Sequence, residues 1–285
     1  MKKRPMLLPG KGRSGPEGGD GRERNLRLPL RLRLWTQMLA SRLALPFLAP
    51  LAFLWVRLAG WRFRDLARTR RTVAALLREH PGPWLVCANH LTMIDSVLLA
   101  YALLPLRVCM FGFKRVPWNL PEQMNFGQGL VLKTLCYLLK CVPVRRRGDR
   151  ARLRDDLDKC LYLLEHGQKL LVFPEGTRSR TGHVDGASIA YGVGRFVTNT
   201  PGCRVLCVYL RGDGQDSYSN FPKRNERFSV AVAELRQEGR GTGLKAQRAC
   251  ATGIVRLLAS MEEEYFAALG KRHRGDMPAP RKDAA

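Results

Sequence analysis

Two stretches of the chain carry residue types and spacings suited to chemistry: Trp84 to Asp95, WLVCANHLTMID, and Leu171 to Arg180, LVFPEGTRSR. In the first, His90 and Asp95 stand five positions apart. A carboxylate bonded to one imidazole nitrogen fixes the tautomer and leaves the other nitrogen as a base. On an ideal helix five residues turn through about 500°, which sets the side chains roughly 140° apart, so two mid-helix residues could not meet. If His90 lies in the turn before a helix, with Thr92 as N-cap, Asp95 in the first turn can reach back. The alternative is a structural histidine at a strand end and a carboxylate that only faces a helix dipole. The second stretch puts Glu175, a flexible Gly176 and the guanidinium groups of Arg178 and Arg180 just past Phe173-Pro174. Arginine in such a loop suits bidentate binding of phosphate.

Both stretches begin as short apolar runs, which read as buried strands, and chemistry at a strand's carboxyl end is what α/β folds offer. Around them, residues 64–80 form a helix with a basic face, ended by Pro81-Gly82-Pro83. A strand is expected over 107–113, a polar loop through Asn125, and a helix over 130–140. Leucines at 153, 157, 161 and 164 predict an amphipathic helix that Gly167 closes, leading into a strand at 170–173. A helix over 187–199, strands over 203–210 and 227–233 and a long helix over 244–269 complete the pattern. This alternation predicts an α/β fold with a largely parallel sheet flanked by helices. With 285 residues, 45% of them hydrophobic, the chain can bury one sizeable core.

Leu43 to Val56, LALPFLAPLAFLWV, contains no charge, is interrupted by Pro46 and Pro50, and is bounded by Arg42 and Arg57. At fourteen residues it is shorter than the ~20 of a straight membrane span. With Trp35, Trp55 and Trp61 near its ends, it predicts an N-terminal membrane-interacting helical hairpin that dips into one leaflet. A buried helix pair and a single span over 34–58 are the alternatives. The expected organisation is a basic disordered tail over 1–33, the membrane-interacting segment over 34–62, an α/β catalytic domain over 63–270 and a basic tail over 271–285.

Of the net charge of +25, +15 lies in residues 34–270, so the body is basic in its own right. That balance suits an anionic membrane surface or a phosphorylated substrate. No zinc finger, RNA-binding signature or aromatic-interleaved basic strip accompanies it, which argues against a nucleic-acid partner. The eight cysteines sit mostly among apolar residues, as buried thiols in a reducing compartment do, and their spacing predicts no structural zinc. Gly212 to Asp216 reads as a turn and not a calcium loop, and Gly192-Val-Gly194 does not complete a dinucleotide fingerprint.

Together the two motifs resemble the glycerolipid acyltransferase family, which includes the lysophosphatidate acyltransferases. The N-H-x4-D motif is matched by Asn89, His90 and Asp95, and F-P-E-G-T-R-S by Phe173 to Ser179. Weaker echoes are Cys141 to Arg147, where the family places a motif ending in arginine, and the apolar run Val205 to Leu210. The fourth motif's usual proline is missing and the segment Phe113 to Pro121 departs from the family's pattern. The resemblance implies a membrane-associated enzyme on the cytoplasmic face of the inner or cell membrane. It would move a fatty acyl group from acyl-CoA or acyl carrier protein to the hydroxyl of a lysophospholipid such as lysophosphatidate. His90 would be the base and Asp95 its support. Glu175, Gly176, Thr177 and Arg178 would line the acceptor site, with Arg178 on the phosphate and Arg145 as the arginine of the second motif. No metal or cofactor beyond the thioester co-substrate is implied. No serine nucleophile is needed, since the acceptor supplies the hydroxyl and the G-x-S-x-G elbow is absent. Another lipid acceptor, such as an aminolipid or lyso-ornithine lipid, or a non-catalytic basic membrane-binding protein are the alternatives.

Overall fold

The computed structural model describes residues 26–122, 129–144, 150–186, 189–235 and 241–275. At its centre is a six-stranded sheet: β1 (Arg62–Phe63), β2 (Trp84–Ala88), β3 (Trp118–Asn119), β4 (Lys169–Val172), β5 (Arg204–Gly212) and β6 (Arg227–Leu235), in the order β1-β6-β5-β2-β4-β3. β2 lies parallel to β4 and β5, with Val86 opposite Leu171 on one side and Leu206 on the other. β3 extends the parallel set beyond β4, while β6 runs antiparallel to β5 and pairs with β1.

The central strands are buried on both faces, which is why they read as unbroken apolar runs. One face, bearing Leu85, Cys87, Leu170, Val205 and Cys207, packs against α6 (Arg150–Glu165), α7 (Gly192–Thr198) and α8 (Gly243–Gly275). The other, bearing Trp84, Val86, Leu171, Leu206 and Val208, packs against α2 (Leu66–Glu79), α3 (Asp95–Leu103) and the C-terminal half of α1 (Leu28–Leu58). Gly167 takes φ 73°, and the N–H groups of Gly167 and Gln168 bond back to Leu164 and Leu163, closing α6 as its position predicts.

Three expectations are corrected. Residues 107–113 are not a strand: Leu106–Phe111 forms the short helix α4, because extended Pro105 opens a turn whose carbonyl accepts from Val108 and Cys109. A short apolar run does not by itself separate helix from strand. In the expected polar loop, Trp118-Asn119 pairs as β3 and is pinned by the fully buried Lys140. Its ammonium donates to the carbonyls of Phe113 and Val116, each at 2.6 Å, and to Gln168 Oε1 at 3.2 Å. Burial holds the Lys140 pKa well below the ordinary lysine range. The helix expected over 187–199 is described only from Gly192 to Thr198.

The third correction is the hairpin. α1 is one continuous helix through Pro46 and Pro50, beginning within the stretch expected to be a tail. Each proline removes one backbone donor, but the turns on either side are held from outside. Leu34 and Leu45 enter one core, and Ala49, Phe53 and Val56 enter the other. Gln37 and Ser41 donate to the carbonyls of Cys141 and Tyr137 just past α5 (Leu130–Leu138) and within it. The opposite face of α1 exposes Leu32, Trp35, Leu39, Leu43, Phe47, Leu51, Leu54 and Leu58, with Phe47 74% exposed.

Candidate active site

β2 delivers its carboxyl end into a tight turn, and the residues after Ala88 are fastened one by one. Asn89, buried, acts as a substitute strand residue: its amide donates to the Leu210 carbonyl at 2.9 Å and accepts from the Leu210 N–H at 2.8 Å. This fixes the turn to β5. Next comes His90, whose ring stacks on Phe173 with centroids 4.0 Å apart and planes 14° from parallel. Asp95 opens α3 and reaches back, with Oδ2 2.9 Å from His90 Nδ1. The same oxygen accepts from the N–H groups of Leu91 and Thr92 at 2.7 and 2.8 Å, and Oδ1 accepts the Thr92 hydroxyl.

Thr92 is therefore not the helix N-cap, which is Ile94; it is a donor to the carboxylate. The Asp95 side chain is 3% exposed and the His90 side chain 21%. Four donors meet one buried carboxylate, so its charge is supported without solvent. With Asp95 accepting at Nδ1, the free lone pair of the imidazole is on Nε2.

The second motif encloses the first. Glu175 Oε1 accepts from the His90 N–H at 3.2 Å, and the Ser179 N–H donates to the His90 carbonyl at 2.9 Å. Gly176 sits at φ 78°, a backbone region open to glycine without strain, and its N–H closes the turn onto Phe173. The other Glu175 oxygen accepts from the Asp185 N–H at 3.2 Å. Burial pushes the Glu175 carboxyl up to about 7; the charges of Asp185 and Glu262 act in the same direction, against the two backbone bonds.

Beside this turn lies a cleft of about 470 Å³ lined by Glu175, Thr177 to Thr181, Val184 and Asp185. His90 is not in its wall but adjoins it through Glu175. Thr177 and Arg180 are exposed, while the Arg178 guanidinium is held by Ser219 and Asn220. His90, Asp95, Glu175, Gly176, Thr177 and Arg178 are thus brought together at the carboxyl ends of β2 and β4. Arg145, expected as the arginine of the second motif, lies outside the described residues.

Sequence reasoning missed the supports contributed from a distance. Glu262 on α8 accepts from the Val184 N–H at 3.0 Å and the Tyr209 hydroxyl at 3.0 Å, and lies 3.5 Å from Arg211 Nη1. Arg211 also bonds the carbonyls of Gly182 and Gln215, so α8 and β5 together set the far wall of the cleft. The only sequence signal was the run Glu262-Glu263-Glu264 on the last helix, and an acidic run on a helix points to nothing in particular.

A carboxylate-backed imidazole at the end of a parallel strand, beside a cleft with two arginines, is an arrangement suited to general-base group transfer on an α/β fold. The family model described as acyltransferase matches residues 68–211, about half of the chain, and the protein belongs to that family. Among solved structures, the 1-acyl-sn-glycerophosphate (LPA) acyltransferase PlsC from Thermotoga maritima is similar, at 16% identity over 82% of this chain and 83% of that one, with a TM-score of 0.44. A comparison with curated protein sequences found no match.

Proposed function

We propose that the protein transfers a fatty acyl group from an acyl thioester, carried by coenzyme A or acyl carrier protein, to the hydroxyl of a lysophospholipid such as lysophosphatidate. The observation that carries this reading is the His90–Asp95 pair at 2.9 Å, held in the turn after β2. His90 Nε2 takes the acceptor's hydroxyl proton as its oxygen attacks the thioester carbonyl. The tetrahedral intermediate then expels the thiolate, which recovers the proton from the imidazolium, so that an ester forms and a thioester breaks with no net change in protons. Asp95 keeps Nε2 available and steadies the transient cation. General-base help of this kind is worth about 10²–10⁴-fold, and orientation supplies much of the remainder.

Arg178 supports a phosphate-bearing acceptor, with the exposed Arg180 beside it in the cleft. Arg145 is a further candidate on the substrate. The exposed apolar face of α1, with Arg42 and Arg57 flanking its uncharged run, supports docking to an anionic membrane surface, and donors carried by coenzyme A or acyl carrier protein suit its cytoplasmic side. The segment 63–270 carries the chemistry. Incubating the purified protein with labelled acyl-CoA and a panel of lysolipids, aminolipids included, tests the reading. Labelled phosphatidate formed from lysophosphatidate is the expected product; acylation confined to an amine acceptor would refute it.

A further inference from the structure

Resting on the reading that Arg178 binds the acceptor's phosphate, the geometry points to Asn220 as a positioning residue that makes the enzyme selective for anionic acceptors. It does so by holding the Arg178 guanidinium in register with the catalytic turn.

The segment 218–220 lies beyond the stretch that matches the family, and it touches both motifs at once. On one side the Ser219 N–H donates to the Leu91 carbonyl at 3.0 Å, and the Met93 N–H donates to the Asn220 carbonyl at 3.2 Å. Thr92, which supports Asp95, pairs with Ser219 as an isolated parallel bridge. On the other side Arg178 Nη1 donates to the Ser219 carbonyl at 3.0 Å and to Asn220 Oδ1 at 2.9 Å, and Arg178 Cζ lies 5.4 Å from the centre of the Tyr218 ring.

A guanidinium has five N–H donors in a rigid fork. The clasp takes both hydrogens of Nη1. Among the described residues, Nη2 and Nε have no partner, and that edge is the one that grips two oxygens of a phosphate. Asn220 therefore decides which edge of Arg178 is offered, and the bonds to Leu91 and Met93 decide where it is offered relative to His90. An amide suits this task because it accepts from Arg178 without neutralising it. A carboxylate at the same position would pair with the guanidinium and compete with the substrate.

Asn220 is exposed, so its substitution leaves the core untouched. The test is steady-state acylation of lysophosphatidate by the full chain carrying Asn220→Asp, Asn220→Ala, Arg178→Ala and the Arg178→Ala/Asn220→Asp pair, with melting temperatures recorded. Asn220→Asp is expected to raise the lysophosphatidate KM tenfold or more, and Asn220→Ala a few-fold. The acyl-CoA KM, kcat and melting temperature should hardly change. In the Arg178→Ala background Asn220→Asp should add nothing. An Asn220→Asp effect of equal size in that background, or no effect where Arg178→Ala alone raises KM, would overturn the clasp while leaving the phosphate role intact. An unchanged KM for Arg178→Ala would overturn both.

Discussion

The two loops that meet at the site are built in opposite ways. In the turn carrying His90 the ring is aimed locally: Asp95, five residues on, accepts from it, from two backbone N–H groups and from Thr92, while the backbone of the turn is tied to Glu175, Ser179 and Ser219. The loop carrying Arg178 is held by groups far along the chain. Its guanidinium is fastened 41 and 42 positions away, and its Val184 N–H bonds to Glu262, 78 positions away. A catalytic base needs one rigid geometry, and a local network supplies it. The Arg178 loop depends on separate elements, so a side chain such as Glu262 can alter it without touching the His90–Asp95 contact.

Substitutions should separate the two loops. Of the supporting residues, Asp95→Asn is expected to have the largest effect, a fall in kcat of about 10³-fold, because an amide in place of the carboxylate brings no negative charge to the imidazolium and turns a donor toward the Thr92 hydroxyl that Oδ1 accepts. A loss below tenfold in steady-state acyl transfer would show that the turn orients the ring without it. Glu262→Ala should destabilise the fold by roughly 3 kcal/mol, since Arg211 and the Tyr209 hydroxyl lose a buried partner. It should raise the acceptor KM more than it lowers kcat; denaturant unfolding and kinetics on the same preparation measure both.

Glu175→Gln probes the join between the loops. The Glu175 pKa is raised from 4.5 to about 7 in the fold, so folding favours its neutral form. Its stabilising contribution is complete below about pH 4.5 and disappears as pH rises through about 7. The melting temperature of the wild type should carry a decline across that window, and the glutamine variant should lack that component. The smallest expected stability effect is at Phe47→Ser on the exposed face of α1, within about 0.5 kcal/mol. Binding to anionic vesicles should nevertheless weaken in a sedimentation assay.

Much of the architecture was legible because the central strands are buried on both sides and announce themselves as apolar runs. The His90–Asp95 pairing was legible because the two are neighbours in sequence, whereas the ties of the turn's backbone to Glu175, Ser179 and Ser219 were not. The α1 hairpin was misjudged because a proline's lost hydrogen bond is visible locally, whereas the bonds from Gln37 and Ser41 to the α5 end are not. The strand at β3 depends on Lys140 bonding to carbonyls 24 and 27 positions earlier, and no local pattern foretells it. Phe173 was recognised as part of a motif, but its stacking on His90 required the fold to bring β2 and β4 side by side.

The central claim is that His90 removes the acceptor's proton. Its most direct test is the rate of acyl transfer from acyl-CoA to lysophosphatidate by His90→Ala, compared with wild type at matched melting temperature. Turnover should fall by about 10²–10⁴-fold with substrate binding retained. Near-wild-type turnover in the folded variant would contradict the mechanism.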